Sequence, residues 1–166
     1  MPIHNDDIAK VFDEIADLLE IQGANPFRTR AYRNAARQMR ALPREARELA
    51  EQGEDLQRLP GIGEALAGKI AEILETGACR ALEKLREEFP PQVAELLHLP
   101  GLGPKRVHAL YYELDIQTPE QLYRAARDGR LRELPGFGAK TEARIVEALD
   151  AHLSTEQRFK LAAAAN

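Results

Sequence analysis

The chain has 166 residues, of which 44% are hydrophobic and 30% charged, enough for one ordinary globular domain or two small ones. Its apolar runs are far too short for a membrane span, its acidic start MPIHNDDIAK lacks the regions of a signal peptide, and the single cysteine, Cys79, has no internal disulfide partner, so a cytoplasmic protein is expected. The net charge of -4 argues against nucleic acid only as a sum, because the charges are unevenly distributed.

In chain order, almost every segment reads as helix. Asn5 is placed to cap a first helix whose apolar stripe is Ile8, Val11, Phe12, Ile15, Leu18 and Leu19, and Gly23 ends it. This helix is acidic, carrying Asp6, Asp7, Asp13, Glu14, Asp17 and Glu20 against Lys10. Asn25-Pro26 then gives an N-cap with proline at the first helical position, opening a helix to about Ala41. The second helix and its exit are basic: Arg28, Arg30, Arg33, Arg37, Arg40, Arg44 and Arg47 stand against Glu45 and Glu48. Such a pair of helices is either a polarised surface for a partner or two faces that neutralise one another.

Pro43 is expected to open a third helix, closed by Gly53. Thr118-Pro119 repeats the cap-plus-proline signature, with Gly129 as its stop. Ser154-Thr155-Glu156-Gln157 has capping-box spacing and is expected to open a last helix. That helix runs into an alanine tract without a stop, so the chain reads as a piece of a longer protein. No stretch has sustained strand alternation. The expected fold is therefore all-α, in two small helical lobes. The expected divisions are residues 1–86, 87–153 and the start of a truncated helix at 154–166, with a joint near Glu87–Pro91.

The main signal is an internal repeat. Leu59-Pro60-Gly61-Ile62-Gly63 recurs as Leu99-Pro100-Gly101-Leu102-Gly103 and as Leu134-Pro135-Gly136-Phe137-Gly138. The frame is shared as well. Leu56, Leu96 and Leu131 precede the turns; Ile70, Leu110 and Ile145 follow them, and then Leu74, Leu114 and Leu149. The third copy departs from the pattern at Glu142, where the others have Ala67 and Val107.

Two glycines flanking an apolar residue between helices have definite chemistry. They permit backbone angles closed to other residues and leave no side chain in front of the turn. The amides at the start of the second helix lack intrahelical partners, and the helix dipole adds positive charge there. Together these make an anion site suited to a DNA phosphate. The middle residues Ile62, Leu102 and Phe137 are expected in the core. Lys105 and Lys140 occupy equivalent places after the second glycine, where the first copy has Ala65 and, one turn later, Lys69. Contacts of this kind hold the DNA backbone and carry no sequence information.

These motifs resemble helix-hairpin-helix elements. The succession NPFRTRAYRNAARQMRALP, LPGIGEALAGKIAEILETG, LEKLREEFP and LPGLGPKRV further resembles the start of family X DNA polymerases, the group that contains DNA polymerase beta. The likeness covers nearly the whole chain, and the third hairpin is similar to the bacterial branch. It implies an amino-terminal 8-kDa domain that holds the 5′ side of a gap, followed by a fingers-like hairpin pair that grips duplex. The implied partner is gapped, nicked or 5′-phosphorylated DNA, bound by a monomeric, nucleoid-associated bacterial protein. The implied DNA-binding residues are Arg28, Tyr32 and Arg33 on the basic helix, Gly61, Gly63, Gly101, Gly103 and Lys105, and Gly136, Gly138 and Lys140 in the third copy.

The resemblance carries further expectations. Polymerase chemistry would need a palm holding Mg2+ or Mn2+ on clustered carboxylates, and this chain has no D-x-D pair. Some relatives are abasic-site lyases, and their Schiff-base lysine falls on Lys69; here Ala65 replaces a further family lysine and Glu64 adds negative charge. The family's hairpins also take Na+ or K+ through carbonyls that fall on Gln57, Leu59 and Ile62 and on Leu97, Leu99 and Leu102. Three readings remain open: a DNA-binding part of a repair polymerase, a lyase, and a helical protein-interaction module whose glycine turns are structural.

Overall fold

A computed structural model describes the backbone of residues 2–165 and the side chains of residues 2–153. Every regular element among them is helical. In order they are α1 (Asn5–Gln22), α2 (Pro26–Ala41), α3 (Ala46–Glu51), α4 (Glu64–Thr76), α5 (Arg80–Glu88), α6 (Pro91–Leu96), α7 (Pro104–Leu114), α8 (Pro119–Arg127) and α9 (Ala139–Ala165). Short 3-10 turns at Leu56–Arg58 and Arg130–Glu133 lead into the first and third hairpins. The chain divides into two compact units, Met1–Glu88 and Phe89–Asn166.

In the first unit α1 packs along α2 and also against α5. Ile8, Phe12, Ile15 and Leu19 of α1 are fully buried, opposite Ala35, Ala36 and Met39. Phe12 meets Tyr32 edge-on, with ring centroids 5.8 Å apart. Burial of each large apolar side chain contributes about 1.5–3 kcal/mol, so this seam is the main support of the unit. Gly23 closes α1 in the left-handed conformation, and the Asn25 side chain accepts the Phe27 amide at 2.9 Å, as the cap-plus-proline signature requires.

Two local expectations are corrected. Asn5 does not cap α1; His4 does, with its amide donating to the Asp7 carboxylate at 2.9 Å. The Asn5 side chain instead accepts the Ala46 amide at 2.7 Å and donates to the Arg44 carbonyl at 2.8 Å. It thus fastens the start of α3 to α1, a long-range use of a residue whose local preference is for caps. The second correction concerns Pro43, which lies in a bend; α3 begins at Ala46 with Glu45 as its N-cap. Gly53, at φ 76°, does close that segment.

In the second unit Phe89 packs edge-on against Tyr111, with centroids 5.5 Å apart. Val93, Leu96, Val107, Leu110, Ile116, Leu122, Leu131, Ile145 and Leu149 fill the core. The Thr118 hydroxyl caps α8 by accepting the Gln121 amide at 3.1 Å, and Gly129 stops it at φ 75°. The helix expected to open at Ser154 is a continuation of α9, whose backbone runs unbroken from Ala139 to Ala165. Capping-box spacing was a false start signal there, because a good helix-forming stretch already leads into it; the cap side chains lie outside the described residues.

The repeat frame is visible in the packing. Leu56, Leu96 and Leu131 are buried, and so are Ile70, Leu110 and Ile145. Glu142 takes the buried place of Ala67 and Val107, and its carboxylate reaches Arg132 Nε at 3.3 Å.

Candidate nucleic-acid interface

The three hairpins share one backbone geometry. The first glycine of each turn is in the left-handed region, with φ of 75° at Gly61, 87° at Gly101 and 85° at Gly136. The middle residue turns inward: Ile62, Leu102 and Phe137 are 3%, 6% and 3% exposed. Its amide closes the turn by donating to the preceding leucine carbonyl, from Ile62 to Leu59 at 3.1 Å, Leu102 to Leu99 at 3.1 Å and Phe137 to Leu134 at 3.3 Å.

The helix after each turn starts at the second glycine. Its first intrahelical bonds run from Ala67 to the Gly63 carbonyl at 2.9 Å, from Val107 to Gly103 at 3.0 Å and from Glu142 to Gly138 at 3.0 Å. Amides before those residues have no helical acceptor. In the second hairpin Pro104 supplies no N–H, so that turn offers one donor fewer. No side chain caps α4 or α7, whereas α2 and α8 are capped by Asn25 and Thr118.

The second glycines are informative for another reason. Gly63 and Gly103 have φ of -86° and -102°, which any residue adopts. A Cβ added at Gly63, Gly103 or Gly138 would meet nothing within 4 Å. The fold itself therefore does not require glycine there, and a group approaching the bare amides from outside would.

Charge around the hairpins is supplied in two ways. Beside the first, α2 runs close to the turn, since a Cβ on Gly61 would lie 3.4 Å from Gln38 Cγ. Phe27, Ala31 and Asn34 share the Gln38 stripe at helical spacing, and Phe27 is 74% exposed with the Arg30 guanidinium 5.6 Å over its ring. Arg28, Arg30 and Arg37 are exposed and make no ion pair among the described residues. Arg33 and Arg40 are already engaged by α1. Arg33 meets Asp17 at 2.9 Å and Glu20 at 3.5 Å, and Arg40 meets Asp13 at 2.7 Å and Asp6 at 3.4 Å. Burial pushes the Asp17 carboxyl above its ordinary range, against the pull of Arg33, while Lys10 and then Arg40 hold Asp6 below it. The acidic and basic helices thus neutralise one another in part, along the face of α2 turned to α1.

Tyr32 is a core residue, 5% exposed against Phe12, so its first task is packing. Lys69 lies on α4 and is half-buried, while Glu64 and Ala65 are exposed in the first turn of that helix. At the second and third hairpins Lys105 and Lys140 are exposed in the first turns of α7 and α9, with Arg144 one turn beyond Lys140. Among the described residues no group of three or more His, Cys, Asp and Glu side chains is placed to hold a metal ion. No described helix is long and apolar enough to cross a membrane.

One residue of the interface stands outside the repeat. Arg106 Nη1 donates to the Gly101 carbonyl at 2.6 Å, its Nη2 lies 3.3 Å from the Gly136 carbonyl, and its guanidinium sits 5.8 Å over the Phe137 ring. The only signal for it in the sequence is a mismatch, because the equivalent positions hold Leu66 and Thr141.

Comparison with known proteins agrees with this geometry. Residues 3–79 match a family described as a helix-hairpin-helix domain, and residues 93–151 match one described as a SAM-like helix-hairpin-helix tandem. The chain is also 36% identical over 159 residues to a Bacillus subtilis (strain 168) protein named DNA polymerase/3'-5' exonuclease PolX. That alignment takes in 96% of this chain but only 27% of the relative's length. The chain is an all-helical protein of helix-hairpin-helix domains, and it resembles the amino-terminal part of a family X DNA polymerase.

Proposed function

We propose that the chain binds DNA through its backbone phosphates, with little sequence preference and with a preference for gaps and nicks, as the amino-terminal part of a gap-filling repair polymerase. The observation that carries this reading is the set of second glycines, Gly63, Gly103 and Gly138, which stand before open space where nothing in the fold calls for glycine. A phosphate on the uncapped helix start would use both the bare amides and the helix dipole. Lys105 and Lys140 then add charge in the first turns of α7 and α9, and Arg28 is an exposed cation on α2. Polymerisation itself would belong to a palm with Mg2+ or Mn2+.

The test is a fluorescence-anisotropy titration of gapped, nicked and intact duplexes over a range of salt. Neutralising about four to six phosphates gives a slope of log K against log salt of roughly -4 to -5. Gapped DNA is expected to bind most tightly, and scrambling its sequence is expected to change little. A slope near zero would remove the nucleic-acid reading and favour a protein-interaction module.

A second activity rests on Lys69. Among the described lysines it alone is half-buried, on the helix that the first hairpin opens, and a lysine amine is the nucleophile a Schiff base needs. On this reading the Lys69 amine adds to the aldehyde of a 5′-deoxyribose phosphate docked by its phosphate at Gly61–Gly63 and Arg28, water leaves as the Schiff base forms, and β-elimination then breaks the C–O bond to the strand, which departs as its phosphate. Borohydride trapping on incised abasic DNA should give an adduct that Lys69→Ala abolishes; binding without an adduct would leave a clamp without chemistry. The family resemblance also assigns a Na+ or K+ to the carbonyls of Gln57, Leu59 and Ile62, and of Leu97, Leu99 and Leu102, whose neutral oxygens would suit a monovalent ion rather than a divalent one held by carboxylates.

A further inference from the structure

We infer that Arg106 is a positioning residue that locks the second and third hairpins into one double clamp, so that the two turns take two DNA phosphates at a fixed separation. The inference rests on the phosphate-binding reading above and adds how two of the clamps act together. Its guanidinium bridges the carbonyls of Gly101 and Gly136, at 2.6 and 3.3 Å. These are the equivalent residues of the two turns, both in the left-handed conformation. The same group lies over the ring of Phe137, the residue that pins the third turn in the core.

The chemistry requires arginine. A planar guanidinium has five donors in a fixed fork and serves two carbonyls at once, while a lysine ammonium is a point charge on a flexible stem. Tying both turns to the first helical turn of α7 fixes one anion site relative to the other. Two linked sites bind a polyanion with an effective concentration set by the stiffness of the link, so a loosened link lowers the occupancy of the second site. The bridge also places one positive charge between the two sites. The first hairpin has no counterpart, because Leu66 stands at the equivalent position and cannot donate.

The experiment follows the backbone amides of Gly103 and Gly138 by two-dimensional NMR while the full chain is titrated with gapped duplex. In the parent both amides should shift to saturation together. In Arg106→Lys, which keeps the charge, Gly138 should reach about half or less of its parental shift at saturating DNA, with Gly103 little changed. Arg106→Gln, whose two donors share one nitrogen on a shorter side chain and cannot span the two carbonyls as the fork does, should behave in the same way, and dispersed spectra of both variants report that they fold. Parental shifts at both glycines in both variants would overturn the coupling while leaving the clamps intact. No shift at either glycine in the parent, with DNA demonstrably bound, would overturn the clamp reading itself and this inference with it.

Discussion

The first hairpin and the tandem pair use the same turn but surround it differently. At the first, charge comes from a neighbouring helix, α2, and part of that helix is neutralised by α1 through Arg33 and Arg40. In the pair, charge comes from the helices that the turns themselves open, through Lys105 and Lys140, and Arg106 spans the two turns. On the proposed reading, the difference teaches that a phosphate clamp would need only bare amides at a helix start. The surrounding side chains decide whether it works alone or as part of a rigid set.

The comparison breaks most sharply at the second glycines. Gly103→Ala and Gly138→Ala should each weaken binding of gapped DNA by about ten- to a hundredfold, the worth of a hydrogen bond to a charged group. Their melting temperatures should stay near that of the parent, since a Cβ there meets nothing within 4 Å. Gly101→Val is the contrasting change. At φ 87° it should cost stability as well, by about 1–2 kcal/mol, which thermal melts followed by circular dichroism would register.

Around the first hairpin the arginines should divide by partner. Arg28→Ala should weaken binding about three- to tenfold and flatten the salt slope by about 1, as when one phosphate is no longer neutralised. Arg33→Ala should leave affinity nearly unchanged and lower stability, by about 1 kcal/mol, because Arg33 serves Asp17 and Glu20. Its deficit should depend on pH in a set direction. Burial raises the Asp17 carboxyl, so the folded state favours the protonated acid, and that stabilising preference is lost as pH rises through the folded value. Arg33 offsets the cost of the ionised form. The gap between Arg33→Ala and the parent should therefore be widest near neutrality and close on acidification; a constant gap in melts across that range would contradict the pairing.

The smallest effect is a gain. Glu142→Val places the residue of the second copy in the third, replacing a buried carboxylate paired with the exposed Arg132. It should raise stability by about 1 kcal/mol with DNA affinity unchanged, measured by denaturant unfolding and anisotropy. A clear loss of stability would mean that the Arg132 pair supports the third hairpin.

Much of this was legible in the sequence because the signals are local. The leucine-proline-glycine repeat announced the turns and their buried middle residues, and the caps at Asn25 and Thr118 announced α2 and α8. What was not legible depends on long-range partners. Asn5 looked like a cap but joins α1 to the start of α3, 41 residues away in the chain. Ser154 carried a start signal inside a helix already under way. Arg33 looked like one of many arginines facing a ligand, and only the α1–α2 packing shows which carboxylates hold it. Arg106 showed only as a mismatch in the repeat, because its two acceptors are backbone carbonyls, which leave no trace in side-chain spacing.

Whether three bare helix starts hold DNA phosphates is tested most directly by salt-dependent binding of the Gly63→Ala/Gly103→Ala/Gly138→Ala variant beside the parent. With three phosphates no longer held by amides, affinity should fall by about a thousandfold or more, while the slope of log K against log salt, which follows the lysine and arginine contacts, stays near that of the parent and the melting temperature stays within a few degrees of it. An unchanged affinity in a folded variant would show that the glycine turns are structural and that the DNA, if bound, lies elsewhere.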